Sequence, residues 1–185
     1  IIFQLKEGWH IFVSTVVISL YTTSNTFILG LITNNIIVGY YSAGEKLVRA
    51  IQSLWTPISQ SIYPYFSKLY NREPDKAKNI LFKILIISAI FTFLISIFLC
   101  LSASEIIPFV LGSQYNPSII VFKILIFVFF AVGVNNILGI QGLVSFGYGN
   151  KFLKVVLIAS IVHLILLIVL IPNFLYLGPA IASVF

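Results

Sequence analysis

Charge is what this sequence has least of. Only 9% of its 185 residues are Asp, Glu, Lys or Arg, where a soluble domain carries about a quarter. Too few polar side chains remain to cover a water-facing surface. A single cysteine, Cys100, excludes any intrachain disulfide. With only two histidines besides it, the chain is too poor in soft ligands for a metal site. Paired carboxylates and a Gly-rich phosphate loop after a strand are also missing, so no catalytic constellation, cofactor or metal is expected. Methionine is wholly absent, and the chain is expected to be a piece of a larger membrane protein. The opening "IIFQLKEGWH" lacks signal-peptide architecture, because Lys6 and Glu7 interrupt it and no cleavage site follows.

What is abundant is apolar surface: 59% hydrophobic residues and a mean hydropathy of +1.08. Roughly 20 apolar residues span the hydrocarbon of a bilayer as a helix. Segments at about 11–33, 36–63, 80–103, 118–146 and 151–171 qualify, and another run begins at 178–185. Alternating segments of about 10 residues, the mark of a membrane β-barrel, do not occur. The fold expected is therefore an all-α polytopic membrane bundle. Turn chemistry marks its connections: Asn34-Asn35, "NREPD" at 71–75, "GSQYNPS" at 112–118, "GYGNK" at 147–151 and "IPNFLYLGP" at 171–179.

Basic residues sort the connections into two kinds. Lys6 precedes the first span; Lys68, Arg72, Lys76, Lys78 and Lys83 lie at 64–83; Lys151 and Lys154 lie at 147–154. The alternate connections, near 32–36, 104–117 and 172–178, have no Lys or Arg. Positive charge collects on the cytoplasmic side, so the loops at 64–83 and 147–154 are expected to be cytoplasmic. The net charge of +6 is then largely a topological signal, and a nucleic-acid partner is not indicated. Those loops would favour anionic membrane lipids.

The stretch "VGYYSAGEKLVRAIQSLWTPISQ" places Glu45, Lys46 and Arg49 inside an apolar run. On a helix, Arg49, Gln52, Thr56, Ser59 and Tyr63 fall within about 40° of Glu45. Lys46, Ser53 and Gln60 widen the stripe, and Leu47, Ile51, Leu54, Trp55, Ile58 and Ile62 oppose it. A charge at the bilayer centre costs about 2.5–3.5 kcal/mol on insertion scales, so it faces protein or a hydrated cavity. Glu45 and Arg49 can neutralise each other as an i, i+4 pair. That pairing leaves Lys46 over and leaves the rest of the stripe unexplained; a cationic cavity wall accounts for both.

Elsewhere the alternatives stay open. Thr15, Ser19, Thr22 and Thr26 share a face of the first span, with Asn25 at its border lining a cavity or bonding a neighbouring helix. Lys123 in the fourth span either snorkels or lines a cavity. Asn135, Asn136 and Gln141 lie deeper on that span, where Gly133, Gly139 and Gly142 suggest close packing or a hinge. His163, near the middle of the fifth span, is either a proton relay or a hydrogen-bonded structural residue. Pro57 should bend the second span, and Pro64 should help to end it.

Three stretches carry a family resemblance: "KEGWHIFVSTVVISLYTTSNTFILG", "VGYYSAGEKLVRAIQSLWTPISQSIYPYFSKLY" and "NNILGIQGLVSFGYGNKFLKV". They resemble the second half of bacterial polysaccharide-transport flippases, the O-antigen-type lipid-linked oligosaccharide translocases. That family sits within the superfamily of multidrug and toxin extruders. Its most specific element is the Gly39-Tyr40-Tyr41-Ser42-Ala43 start, running on to Pro57 and Tyr63-Pro64. The resemblance implies one lobe, about helices seven to twelve, of a two-lobed transporter of twelve or more helices in a bacterial inner membrane. It implies a non-enzymatic flippase that moves undecaprenyl-pyrophosphate-linked oligosaccharide outward by alternating access. The polysaccharide polymerase and chain-length machinery are its implied protein partners. By position, Lys46, Arg49 and Lys123 would bind substrate, with Glu45, Gln52, Thr56, Gln60 and Asn25 lining the cavity. Relatives often carry an acidic residue where this chain reads Ser24-Asn25-Thr26, which leaves Glu45 as the alternative for an ion-coupling carboxylate. Two other functions compete with it: a multidrug antiporter, whose cargo is typically cationic, and a membrane glycan polymerase, which needs a large external loop.

Overall fold

The computed structural model describes the backbone of residues 2–185 and the side chains from Trp9 onward. Its elements, in order, are helices α1 (Ile2–Ile32), α2 (Asn35–Ser53), α3 (Trp55–Arg72), α4 (Pro74–Leu101) and α5 (Ala103–Leu111). A 3-10 turn (Ser113–Tyr115) follows, then α6 (Ser118–Asn135), which continues as a π-helical segment (Asn136–Val144). The chain closes with α7 (Gly149–Phe174) and α8 (Leu177–Val184). Among the described residues there is no strand. Among the described residues, four stretches are long and apolar enough to cross a membrane: Trp9–Ile32, Pro74–Leu101, Ser118–Val144 and Gly149–Phe174. The protein is a multi-pass membrane helical bundle.

Local chemistry sets the breaks. Asn34 adopts an extended backbone, and its side-chain oxygen accepts from the N–H groups of Ile36 and Ile37 at 3.1 and 3.0 Å. That satisfies two of the donors that a helix start leaves bare. Pro74 opens α4, where its missing N–H costs nothing. Gly147 takes a φ of 82° in the turn before α7, a conformation suited to a residue without Cβ.

The segment expected as one bent span at 36–63 is two helices. α2 ends at Ser53 and α3 begins at Trp55, with Leu54 between them still in helical φ/ψ. Pro57 explains the position of the break. It has no N–H to offer the Ser53 carbonyl, so the hydrogen-bond ladder lapses one turn before it. Pro64 differs from expectation. It sits inside α3, which runs on to Arg72, because one missing bond is outweighed by packing such as that of fully buried Phe66. The expected external loop at 104–117 also differs, being mostly helix α5, with Phe109 92% exposed.

The bundle is arranged around α6, which packs against α2, α4 and α8, while α1 packs along α7. Val121, Phe122, Leu125, Ile126 and Phe129 of α6 form the centre of the core. The outer helices are inverted relative to a soluble protein. α4 buries Ala77, Ser88, Thr92 and Ser96 while presenting Phe82, Ile87, Ile90, Leu94 and Phe98 outward. α7 exposes Ile158, Ile161, Ile165 and Ile168 and buries Ser160 and His163 together with Val156, Leu167 and Ile171. Lipid tails are as apolar as Leu, so burying large side chains gains little, and close packing of small residues holds such helices together. Gly133 shows this directly: a Cβ added there would sit 2.8 Å from the Thr92 methyl.

Two ends of the bundle can be told apart. At one, Tyr70 stacks on Phe146 with ring centroids 4.0 Å apart, and Gly149 lies against His10. At the other, Ser118 donates to the Tyr40 carbonyl at 2.7 Å, and Tyr40 meets the Tyr176 ring. The connections bearing Lys68, Arg72, Lys76, Lys78, Lys151 and Lys154 therefore gather at the first end. Lys6 lies outside the described side chains.

Candidate functional site

α2 begins at the end marked by Tyr40, and about ten residues in, roughly 15 Å at 1.5 Å per residue, it brings Glu45 and Arg49 together. Arg49 Nη2 donates to Glu45 Oε1 at 2.9 Å, with the arginine side chain 48% exposed and the glutamate 14%. The same nitrogen reaches the Thr22 carbonyl of α1 at 3.3 Å. Glu45 accepts two longer bonds, from the Tyr41 hydroxyl at 3.3 Å and from Thr26 Oγ1 at 3.4 Å. The carboxylate is thus enclosed by donors from α1 and α2, while the guanidinium keeps free donors pointing outward. An arginine offers five N–H groups in a planar fork, and two interactions leave several unspent.

Lys46, the next residue, is exposed. Among the described residues it makes no ion pair or hydrogen bond. Lys123 of α6 is half-buried and likewise unpaired among them. The polar stripe does not run unbroken. Glu45, Lys46, Arg49 and half-buried Gln52 lie on α2, whereas exposed Thr56 and Gln60 lie on α3 beyond the break. Ser59 and Trp55, one turn apart on α3, are both buried, so the face they share turns inward and Ser59 leaves the polar stripe.

Asn25 is inside the bundle, 3% exposed. Its Nδ2 donates to the Tyr41 hydroxyl and to Ser183 Oγ, each at 3.0 Å, and its Oδ1 lies 2.7 Å from His163 Nε2. The other ring nitrogen of His163 lies 3.0 Å from the Ala182 carbonyl oxygen, and the Tyr21 ring packs beside it. Four helices, α1, α2, α7 and α8, are joined through this one amide. Tyr41 is the residue that sequence reasoning missed. It is fully buried and stands between Asn25 and Glu45. Its position one turn before Glu45, on the line Tyr41–Glu45–Arg49, was the available signal.

A second polar cluster joins α3 to the π-helical segment. Gln141, fully buried, donates through Nε2 to the Ser59 carbonyl at 2.8 Å and to Ser59 Oγ at 3.1 Å, and Ser59 also bonds Asn136. These amides, expected deep in the fourth span, tie helices together.

Residues 1–70 match the family model described as polysaccharide biosynthesis protein. Across 96% of its length the chain is 32% identical to a protein of Escherichia coli (strain K12) provisionally named an O-antigen transporter. Across 89% it is 29% identical to a Shigella dysenteriae protein of the same provisional name. The chain is similar to both relatives over most of its own length. It spans 43% of the length of the first relative and 41% of the second. No solved structure matches it. The similarity reaches past the matched 70 residues into α4–α8, so the Asn25–His163 contact joins two segments that both fall in the region shared with the Escherichia coli relative.

Proposed function

We propose that this chain is one lobe of a flippase, about helices seven to twelve, that moves pyrophosphate-linked oligosaccharide across a bacterial inner membrane by alternating access. The observation that carries the proposal is the Glu45–Arg49 pair with Lys46 beside it. Two cations and one carboxylate leave surplus positive charge at the depth of the bilayer, and the carboxylate is already occupied by Tyr41, Thr26 and Arg49. Pyrophosphate is a dianion or more at neutral pH, and Arg binds phosphate oxygens with two parallel N–H bonds. Arg49 would bind it, Lys46 and Lys123 would add positive potential, and Gln52, Thr56 and Gln60 would offer neutral hydrogen bonds to sugar or water. The names of the two relatives support a polysaccharide cargo, and the shared-end placement of the basic connections supports a cytoplasmic location for 64–83 and 147–154. Binding and translocation alone, without catalysis, suffice for such a role, with polymerase and chain-length machinery acting on the delivered unit.

A multidrug antiporter of the same superfamily would need a site for cations, which the excess of Lys46 and Arg49 opposes. A glycan polymerase would need catalytic groups outside, where α5 has Glu105 as its only charge.

The test uses the full-length protein in a flippase-deficient cell, scoring surface polysaccharide for Arg49→Ala and Arg49→Lys alongside membrane abundance. Loss of polysaccharide at normal abundance, partly restored by Lys, is expected. Full activity of Arg49→Ala would remove Arg49 from the site.

A further inference from the structure

With the Asn25 amide oxygen turned towards His163, the hydrogen bonds around the ring ask for two donors, one more than a neutral imidazole has. Nδ1 faces the Ala182 carbonyl oxygen at 3.0 Å, which can only accept. Nε2 faces Asn25 Oδ1 at 2.7 Å, which also only accepts. The other neighbours of the Asn25 amide suit this orientation. Ser183 Oγ–H is committed to the Pro179 carbonyl at 2.8 Å, and Tyr41 O–H is directed to Glu45 Oε1 at 3.3 Å. Both hydroxyl oxygens therefore accept from Asn25 Nδ2. In this arrangement every donor meets an acceptor provided that His163 carries a proton on each ring nitrogen.

The same heavy atoms allow a second arrangement, at the cost of one Asn25 N–H left without a partner among them. With His163 neutral and protonated on Nδ1, Nε2 becomes an acceptor, and the Asn25 amide turns over to donate to it. The amide oxygen then faces Tyr41 and Ser183, and each hydroxyl must donate to it. Tyr41 withdraws its proton from Glu45, which keeps Arg49 and Thr26. The other neutral tautomer would set the Nδ1 lone pair against the Ala182 carbonyl oxygen, an unpaired contact that a buried site tolerates poorly.

We propose that His163 is a proton-binding site whose state is passed through Asn25 and Tyr41 to the Glu45–Arg49 pair. The changes are local: His163 releases one proton, one amide turns over and gives up one N–H bond, and two hydroxyls rotate, Ser183 leaving the Pro179 carbonyl. No other titratable side chain bonds the ring among the described residues. α1 contributes Asn25 and the Tyr21 ring, α8 contributes the Ala182 carbonyl and Ser183, and α2 contributes Tyr41 and, beyond it, Glu45. A proton taken up in the core thus strengthens the hold of α2 on Glu45. Releasing it leaves Glu45 to Arg49 and Thr26, and so alters how firmly the guanidinium is held. Histidine is the side chain whose ordinary titration range makes such a change accessible near neutral pH. The consequence for transport rests on the cationic site proposed above; the hydrogen-bond relay does not.

The experiment follows two groups at once in full-length protein in phospholipid nanodiscs. Isotope-labelled histidine NMR reports the ring state, with the His163 signal assigned by difference against His163→Gln. Infrared difference spectra report carboxylate bands, with Glu45 assigned against Glu45→Gln. Between about pH 8 and pH 5, His163 is expected to convert from neutral to doubly protonated, and the Glu45 bands to shift with the same midpoint. In Tyr41→Phe the ring is expected to titrate while the carboxylate no longer follows. A ring that keeps one protonation state over that range overturns the proposal on the native protein alone, without a variant. So does a titrating ring with silent Glu45 bands, or a Glu45 shift that persists in Tyr41→Phe. Arg49→Ala export is scored separately, so either proposal can fail without the other.

Discussion

Asn25 and His163 stand 138 positions apart in sequence and meet at 2.7 Å, joining the first transmembrane helix to α7 inside the bundle. Asn25 also holds Tyr41 on α2 and Ser183 on α8. An amide making three interhelical bonds in a low-dielectric interior is a structural keystone whatever else it does. In membranes each such bond is worth about 0.6 kcal/mol on average, but a buried partner left unsatisfied costs about 1–3 kcal/mol.

Asn25→Leu, which removes all three bonds and leaves Tyr41 and His163 without their shared partner, is therefore expected to destabilise the fold by about 1–3 kcal/mol. Thermal unfolding of the full-length protein in detergent measures this. Asn25→Gln keeps the chemistry at the wrong length and is expected to fall between wild type and Asn25→Leu. Equal melting of Asn25→Leu and wild type would show that the amide carries no structural role.

Gly178 makes the tightest backbone approach in the chain's second half. A Cβ there would lie 2.8 Å from the Ile171 nitrogen and from the Leu170 carbonyl carbon. Those are backbone atoms, so no side-chain rotation relieves the clash, and α8 would have to move away from α7. Forced overpacking of this kind costs about 1–3 kcal/mol. Gly178→Ala is expected to lower the melting temperature, and because α8 supplies Ala182 and Ser183 to His163 and Asn25, it should also loosen that network. Gly39→Ala is the matched control: nothing lies within 4 Å of its Cβ, and replacing a helical glycine with alanine gains about 0.5–1 kcal/mol. Opposite signs for the two substitutions are the expected result; two losses of similar size would refute the packing account.

The long apolar helices and the breaks at Asn34 and Pro74 were legible because their causes are local, whereas the break at Leu54 and helix α5 were not. Asn34 caps, Pro74 opens a helix, and long apolar runs leave no alternative to helix in lipid. Glu45 and Arg49 were legible as a pair because i, i+4 spacing is itself a distance. What could not be read was anything that depends on two helices meeting. The wheel placed Ser59 on the polar stripe, yet the face of α3 that it shares with Trp55 is buried against neighbouring helices. Asn25 could be marked as polar and intramembrane, but whether it faced water or His163 depended on α1 packing against α7. No residue between positions 25 and 163 announces that contact. Tyr41 was passed over for a different reason: tyrosine counts as apolar in a hydropathy pattern, and only its hydroxyl matters here.

Hydration separates a cavity wall from a lipid-facing one, and cysteine labelling reads it directly. With Cys100→Ser as background, Lys46→Cys, Gln52→Cys and Gln60→Cys are expected to react with a water-soluble maleimide in intact membranes. Ile168→Cys, on the apolar outer face of α7 and 64% exposed to whatever surrounds the bundle, is expected to stay unlabelled, because thiolate formation is suppressed in hydrocarbon. Connections give the orientation in the same experiment: Asn34→Cys should label in intact cells with an impermeant reagent, and Glu73→Cys only after the membrane is opened, as the basic residues gathered at that end require. Position 46 silent while position 34 labels would put the Lys46 face against lipid or protein, and the cationic cavity would then lose its wall. Labelling at 46, 52 and 60 together would show that the faces of α2 and α3 are both hydrated despite the break at Leu54.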